Sequence, residues 1–170
     1  MALSFPKTLL TPLIRLATPA DVSSIIRLER ACASAAHWTE RQYRQAFEDG
    51  GVKRLVLVAD TPAHSVPAIP GADPNILAFL VALHLALEWE LENMVVVRSF
   101  RRQGVGERLL RALLATARET NSKSVFLEVR ESNAAARSLY EKTGFEKTGR
   151  RTSYYKDPAE DAVLYRLGLE

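Results

Sequence analysis

Short apolar runs and helical stripes alternate along the chain, and their spacing predicts its elements. Residues 14–17 read as a first strand. Thr18-Pro19-Ala20-Asp21 has the form of a helix start, with Thr18 as N-cap, Pro19 at the first helical position and Asp21 in the first turn. Ile25, Leu28 and Cys32 continue at helical spacing. Thr39-Glu40-Arg41-Gln42 is a capping box that opens a second, short helix reaching Phe47, closed by Gly50-Gly51. Residues 55–59 form a β-branched apolar run suited to a buried strand. Four prolines between Asp60 and Asn75 predict a long surface loop over 60–75. Residues 76–86 and 91–97 read as two more strands, joined near 87–90.

The second half is more regular. Leu109, Leu110, Leu113, Leu114 and Ala117 mark one apolar face of a long helix. Residues 124–130 read as a strand, and 133–142 as a helix stopped by Gly144 at its C′ position. Residues 145–148 and 162–167 complete the sheet. Strand–helix–strand–helix in succession implies a parallel strand pair within a mixed α/β sheet. The chain shows no internal repeat and no low-complexity tract, and its 170 residues predict one domain spanning 1–170.

Composition narrows the function classes. With 47% apolar and 25% charged residues, a disordered or collagen-like chain is excluded. A net charge of +3 is too small to argue for nucleic acid, so direct nucleic-acid binding is not expected. The single cysteine, Cys32, cannot form an internal disulfide, and His37, His64 and His84 are scattered without metal-ligand spacing, so no metal is expected. Pro6 and Pro12 interrupt the apolar N-terminal positions, and no run approaches transmembrane length. The expectation is a cytoplasmic protein without membrane contact.

The strongest chemical signal lies between the strand ending near Val97 and the long helix, in Arg101-Arg102-Gln103-Gly104-Val105-Gly106. Two glycines let the backbone approach a ligand closely, and free N–H groups at a helix N-terminus then converge on it. Such a loop suits phosphate, helped by the positive end of the helix dipole. Arg98, Arg101, Arg102, Arg108 and Arg111, set against Glu107, add a local charge of about +4. A Rossmann fingerprint fails because Leu109 stands where its third glycine belongs, and no Gly-Lys-Ser/Thr is present for a P-loop. Spacing alone leaves open a plain glycine turn before a basic helix.

These residues resemble motif A of the GNAT acetyltransferases, Q/R-x-x-G-x-G/A, the family's signature for coenzyme A pyrophosphate. The resemblance continues through Leu127-Glu128-Val129-Arg130, Ser132-Asn133-Ala134-Ala135-Ala136 and Leu139-Tyr140-Glu141-Lys142-Thr143-Gly144-Phe145, the last similar to the family's L-Y-x-x-x-G-F motif. It implies the GNAT fold, a mixed, mostly antiparallel sheet with a central splayed parallel pair and flanking helices, and acetyl-CoA as co-substrate. Within the family the sequence is most similar to ribosomal-protein-alanine N-acetyltransferases and related protein N-terminal acetyltransferases. His37-Trp38-Thr39-Glu40, Arg150-Arg151, Tyr154-Tyr155 and Glu160-Asp161-Ala162 carry that closer likeness. It departs from that subgroup at Val97-Arg98, where Asp-Pro is usual, at Tyr165, and in the long proline-rich loop.

The resemblance implies that Met94, Val95 and Val96 pair their main chain with the acyl–pantetheine arm, although their side chains read equally well as core. It places the pyrophosphate against Arg101, Arg102, Gln103, Gly104, Val105, Gly106 and Glu107, with Asn133 beside the pantetheine or capping its helix. Glu128 is a carboxylate among apolar strand neighbours, where partial desolvation would tune it towards a general base acting through water. The alternative reading is a solvated strand-end carboxylate. Tyr140 reads as a core tyrosine by periodicity, and as the acid that protonates the leaving thiolate by its place in L-Y-x-x-x-G-F. Cys32 has no basic partner in sequence and is not a candidate nucleophile. The implied reaction is direct attack of a free amine on the thioester.

A protein N-terminus is the leading acceptor, because an α-amine near pKa 8 is partly neutral at pH 7 while a lysine near 10.4 is not. Trp38, Tyr154 and Tyr155 are candidates for lining a peptide groove, or structural aromatics. The alternatives are a small-molecule amine acceptor and a non-catalytic acetyl-CoA-binding module.

Overall fold

A computed structural model describes residues 11–48, 53–61 and 76–170. Seven strands form one sheet: β1 (Leu13–Leu16), β2 (Arg54–Asp60), β3 (Ile76–Leu85), β4 (Glu88–Val96), β5 (Ser124–Arg130), β6 (Glu146–Lys156) and β7 (Ala159–Gly168). Their order is β1-β2-β3-β4-β5-β7-β6, antiparallel throughout except for the parallel pair β4–β5. Four helices accompany them: α1 (Val22–Arg30), α2 (Glu40–Gln45), α3 (Val105–Glu119) and α4 (Ala134–Lys142). This is the mixed, mostly antiparallel architecture that the family resemblance implies.

The two faces of the sheet are covered unequally. On one face the α3 stripe (Leu109, Leu110, Leu113, Leu114, Ala117) and Tyr140 of α4 pack against Leu55, Leu80, Leu91, Leu127 and Tyr165, drawn from β2, β3, β4, β5 and β7. On the other, Val22, Ile25 and Ile26 of α1 and Tyr43 of α2 pack only against β2, β3 and β4, through Val56, Val58, Phe79, Val81 and Val95. Among the described residues, no helix therefore lies over the second face of β5, β7 and β6. It carries Phe126, Glu128, Thr148, Arg151, Leu164 and Arg166 around an open depression.

Several boundaries differ from those predicted. Thr18 and Asp21 do form a capping box, but the first turn, Pro19–Asp21, is a 3-10 turn and α1 begins at Val22. β4 starts at Glu88, not Leu91, because β3 and β4 join through a tight turn at Ala86 and Leu87, with Ala86 at φ 53°. The charged residues that read as a connection are paired in the sheet: Arg166 donates to Glu88 at 2.5 Å, and Ser124 donates to it at 2.8 Å. β6 runs to Lys156, far beyond the predicted 145–148, since an irregularity between Arg151 and Tyr155 lets it stay paired with β7 past a break in register. Gly50, Gly51 and most of the predicted 60–75 loop lie outside the described residues.

Asp21 anchors the N-terminal strand. Its buried carboxylate accepts from Arg15 through both oxygens, at 2.8 and 2.9 Å, and from the Thr18 N–H at 2.8 Å. Arg15, above all, holds the Asp21 carboxyl below the usual carboxylate range. An Asp21→Asn variant is expected to lose about 2 kcal/mol, under the usual cost of breaking a buried pair because Arg15 stays partly solvated and keeps Asp60. A depressed native pKa means this stabilisation is complete above the unfolded value near 3.9 and is lost as pH falls through the native value. The gap between wild type and variant in urea melts should thus be constant from pH 7 to about 5 and close below pH 4. A gap that persists unchanged at pH 2 would refute this account.

Candidate active site

The parallel pair opens at its C-terminal end. β4 and β5 are in register only from Glu88↔Ser124 to Leu91↔Leu127, after which both strands continue without each other. The cause is visible on the β3 side. Val81 faces Asn93 and Ala82 faces Leu91, so Glu92 is an extra residue in β4, a bulge that bends the strand as the ladder to β5 ends. The bulge also changes which face each residue serves: Trp89 and Leu91 lie in the α3 core, while Val95 lies in the α1/α2 core.

Beyond the bulge the main chain of β4 is half used. The Val97 N–H donates to Leu77 O of β3 at 2.8 Å. Alternation along an antiparallel strand then turns the N–H and C=O of Met94 and Val96 away from β3, towards the gap. Val95, opposite Phe79, turns its own towards β3 and buries its side chain. Of the three residues singled out in sequence, Met94 and Val96 turn main chain towards the gap. The Val96 carbonyl accepts the Arg101 Nε at 2.9 Å, and the same guanidinium lies 3.7 Å from Cys32 Sγ. Arg101 is thus turned back onto the strand end.

The loop that follows has the form expected of an anion site. Arg102 has φ 60° and Gly104 φ 79°, so the backbone curls before α3 begins. Arg108 N–H bonds to Gly104 O at 3.0 Å, leaving the earlier N–H groups of Val105, Gly106 and Glu107 at the helix start without helical acceptors. Gln103 braces the loop by donating to Ser99 O at 2.8 Å. A Cβ on Gly106 would come 3.0 Å from Leu139 Cδ2, so α3 and α4 meet closely here and Leu139 would have to shift to admit a larger residue. Glu107 spans the same junction, accepting from Arg111 and from Lys142 at 2.8 Å each. Those cations, Lys142 first, hold its carboxyl below the usual range. A carboxylate so engaged leaves its main-chain N–H as the group available to a phosphate. A curled, N–H-rich, sterically tight turn fits a pyrophosphate.

Gly104 is needed here for its conformation alone, since nothing lies within 4 Å of a Cβ placed on it. Gly104→Ala is expected to cost about 1–2 kcal/mol through the left-handed backbone, lowering the thermal midpoint by roughly 3–6 °C. An unchanged midpoint would show that the turn tolerates another path.

Glu128 and Tyr140 lie on opposite faces of the sheet. On β5, Val125, Leu127 and Val129 point into the α3 core, so Glu128 lies on the helix-free face with Phe126. Its side chain is 16% exposed and pairs with Arg151 Nη2 at 3.0 Å. The Tyr154 phenol lies beside it, and its interaction with the Glu128 carboxylate is the main reason that phenol is pushed above its ordinary range. Burial, then neighbouring Glu92 and Glu128, raises the carboxyl of Glu90 on the facing strand. Tyr140 is buried on the α3 side, its ring 5.9 Å from Phe145 and 6.2 Å from Tyr165, and burial pushes its phenol well above the usual value.

The remaining candidates have defined neighbours. Asn133 caps α4, accepting from Ala136 N–H at 3.2 Å, which leaves its amide NH2 free for a second partner. Trp38 packs 5.4 Å from Tyr43 and beneath Arg54. Tyr155 lies 4.1 Å under Arg130, and Tyr154 beside Arg151. Arg151 is the residue that sequence reasoning missed. Arg150-Arg151 and Tyr154-Tyr155 stood out as a pair of doublets, but only the β6 irregularity brings Arg151 and Tyr154 to Glu128. Among the described residues no helix is long and apolar enough to cross a membrane.

Comparison with known proteins gives a consistent result. A model of the acetyltransferase (GNAT) family matches residues 25–145. The chain is 37% identical over 98 residues to the [ribosomal protein bS18]-alanine N-acetyltransferase of Haemophilus ducreyi, covering 56% of this chain and 68% of that one. It is 38% identical over 94 residues to the corresponding Escherichia coli enzyme, covering 54% of this chain and 64% of that one. The match thus spans about two thirds of the length of these curated relatives. The crystal structure of the Escherichia coli ribosomal-protein-S18-alanine N-acetyltransferase superposes with a TM-score of 0.76 at 26% identity, covering 94% of both chains.

Proposed function

The chain belongs to the GNAT acetyltransferase family, and from that premise we propose that it acetylates the α-amino group of a protein N-terminus, with a ribosomal protein's N-terminal alanine as the specific acceptor. The protein is an acetyl-CoA-dependent N-acetyltransferase. The acceptor is argued from the helix-free face beside Glu128, an open shelf that admits an extended chain end, and from the activity named for its relatives. A ribosomal acceptor would place the reaction in the cytoplasm.

The roles follow from the two-sided gap. Main-chain groups of Met94 and Val96 would align the acyl–pantetheine arm, the loop Arg102–Glu107 would hold the pyrophosphate, and Asn133 would donate its free amide hydrogen to the arm. Acetyl-CoA, when bound, supplies an activated acyl group and a thiolate leaving group. From the helix-free face Glu128 would accept a proton from the attacking amine, through water. From the other face Tyr140, kept neutral by burial, would donate its proton to the departing sulfur. Tyr154 and Arg151 hold the Glu128 carboxylate in place. Trp38, Tyr154 and Tyr155 would border the acceptor.

The test is thiol release from acetyl-CoA across a panel of short peptides and small amines. Preference for a peptide with free N-terminal Ala, abolished by blocking that amine, is the expected result. Faster turnover of a small amine than of any peptide would overturn the acceptor assignment and keep the fold and family.

A further inference from the structure

The least expected feature of the core is a carboxyl group that has no ion-pair partner among the described residues. Glu29 of α1 is 1% exposed and lies within the apolar α1/α2 layer. Its Oε1 accepts from Asn93 Nδ2 at 2.6 Å, and the same Nδ2 donates to Tyr43 Oη at 3.1 Å. The Tyr43 phenol lies beside the Glu29 carboxylate, and burial, then that carboxylate, pushes it up, so the three side chains form a ring of polar groups. The three residues come from α1, α2 and β4. Burying such a ring is costly, and a layer filled with leucine would be at least as stable. Its presence asks for a reason other than stability.

The reason lies in where Asn93 sits. It follows the extra residue Glu92, two residues past the last β4–β5 pairing and one before Met94. By simple alternation from Trp89 and Leu91, Asn93 would face the α3 core. Instead it faces α1, and Glu92 faces the same way, paired with Arg54 at 2.8 and 3.1 Å. Arg54 stacks on Trp38, in the segment between α1 and α2. Two neighbouring strand residues are thus tied to one side, which is what a bulge requires. An apolar residue at 93 could satisfy either face. An asparagine that finds its acceptors only at Glu29 and Tyr43 fixes one.

We propose that Glu29 is a positioning residue: through Asn93 and Tyr43 it pins the β4 bulge, and so the separation of β4 from β5 that exposes the Met94 and Val96 main chain to the acyl–pantetheine arm. This rests on the cofactor placement given above and not on the identity of the acceptor.

The experiment compares coenzyme A binding by calorimetry with thermal stability in two variants of the full chain. Glu29→Leu/Tyr43→Phe/Asn93→Leu removes the whole ring without orphaning a polar group, so its thermal midpoint should stay near wild type. Its affinity for coenzyme A should fall roughly tenfold or more, as expected when a binding edge loses its alignment. Glu29→Gln keeps an acceptor oxygen for Asn93 and should bind within about twofold of wild type by the same reasoning. A folded triple variant that binds coenzyme A as wild type does would overturn the proposal. If that variant does not fold, Asn93→Ser, too short to reach Glu29, is read for the same two outcomes. Failure of the wild type itself to bind coenzyme A would count against the cofactor placement, and so is distinguishable from failure of this inference.

Discussion

A Tyr140→Phe variant is expected to turn over acetyl-CoA and a peptide acceptor about a hundredfold or more slowly than wild type, while binding coenzyme A with unchanged affinity. The substitution removes one oxygen and leaves the ring that packs against Phe145 and Tyr165. No hydrogen bond joins the hydroxyl to another described residue, so its loss strands no partner, and the thermal midpoint should hardly move. Any loss of rate is therefore chemical. Because burial raises the phenol above its ordinary value near 10, the wild-type kcat should show no alkaline decline from Tyr140 below about pH 10. A variant that retains wild-type kcat on the peptide substrate would remove Tyr140 from the mechanism.

What could be read from the sequence and what could not divide along a physical line. The Arg101–Gly106 loop was legible because its requirements are local: left-handed backbone at Gly104 and a helix start. The α3 stripe was legible for the same reason, since a 3.6-residue period is written in consecutive residues. Tertiary pairing hid the rest. Glu88 and Glu90 look like turn residues until Arg166 and Ser124 are brought to the first of them across the sheet. Glu29 and Asn93 are 64 positions apart and only the α1–β4 packing joins them. A carboxylate on an amphipathic helix reads as surface, and Glu29 is instead among the most buried side chains of the chain.

Glu128 shows both sides of that division. Its place in an apolar strand marks it as unusual, and desolvation alone does not say which groups hold it. The structure surrounds it with Arg151 and Tyr154, which depend on an irregularity in β6 that no local pattern announces. The consequence is orientation. A carboxylate held by a guanidinium on one side and a phenol on another has a fixed direction, which a proton acceptor working through a single water needs.

Glu128→Gln should accordingly give the larger kinetic loss, about a thousandfold in kcat/KM at pH 7 with a peptide acceptor. Glutamine fills the same space and can still accept from Tyr154 and Arg151, so the site keeps its shape but cannot take a proton. Stability should change by less than about 1 kcal/mol, because the lost ion pair has an Arg151 side chain that is 55% exposed. The pH dependence separates two versions of the role. If Glu128 serves only to deprotonate the incoming ammonium, the deficit should shrink as pH rises past about 8, where the α-amine is increasingly neutral unaided. If it also accepts the proton released as the N–C bond forms, the deficit persists to high pH. A variant within threefold of wild type across the whole range would leave Glu128 as a structural partner of Arg151 and Tyr154, and the base would have to be sought on the facing strand, where Glu90 already has a burial-raised carboxyl.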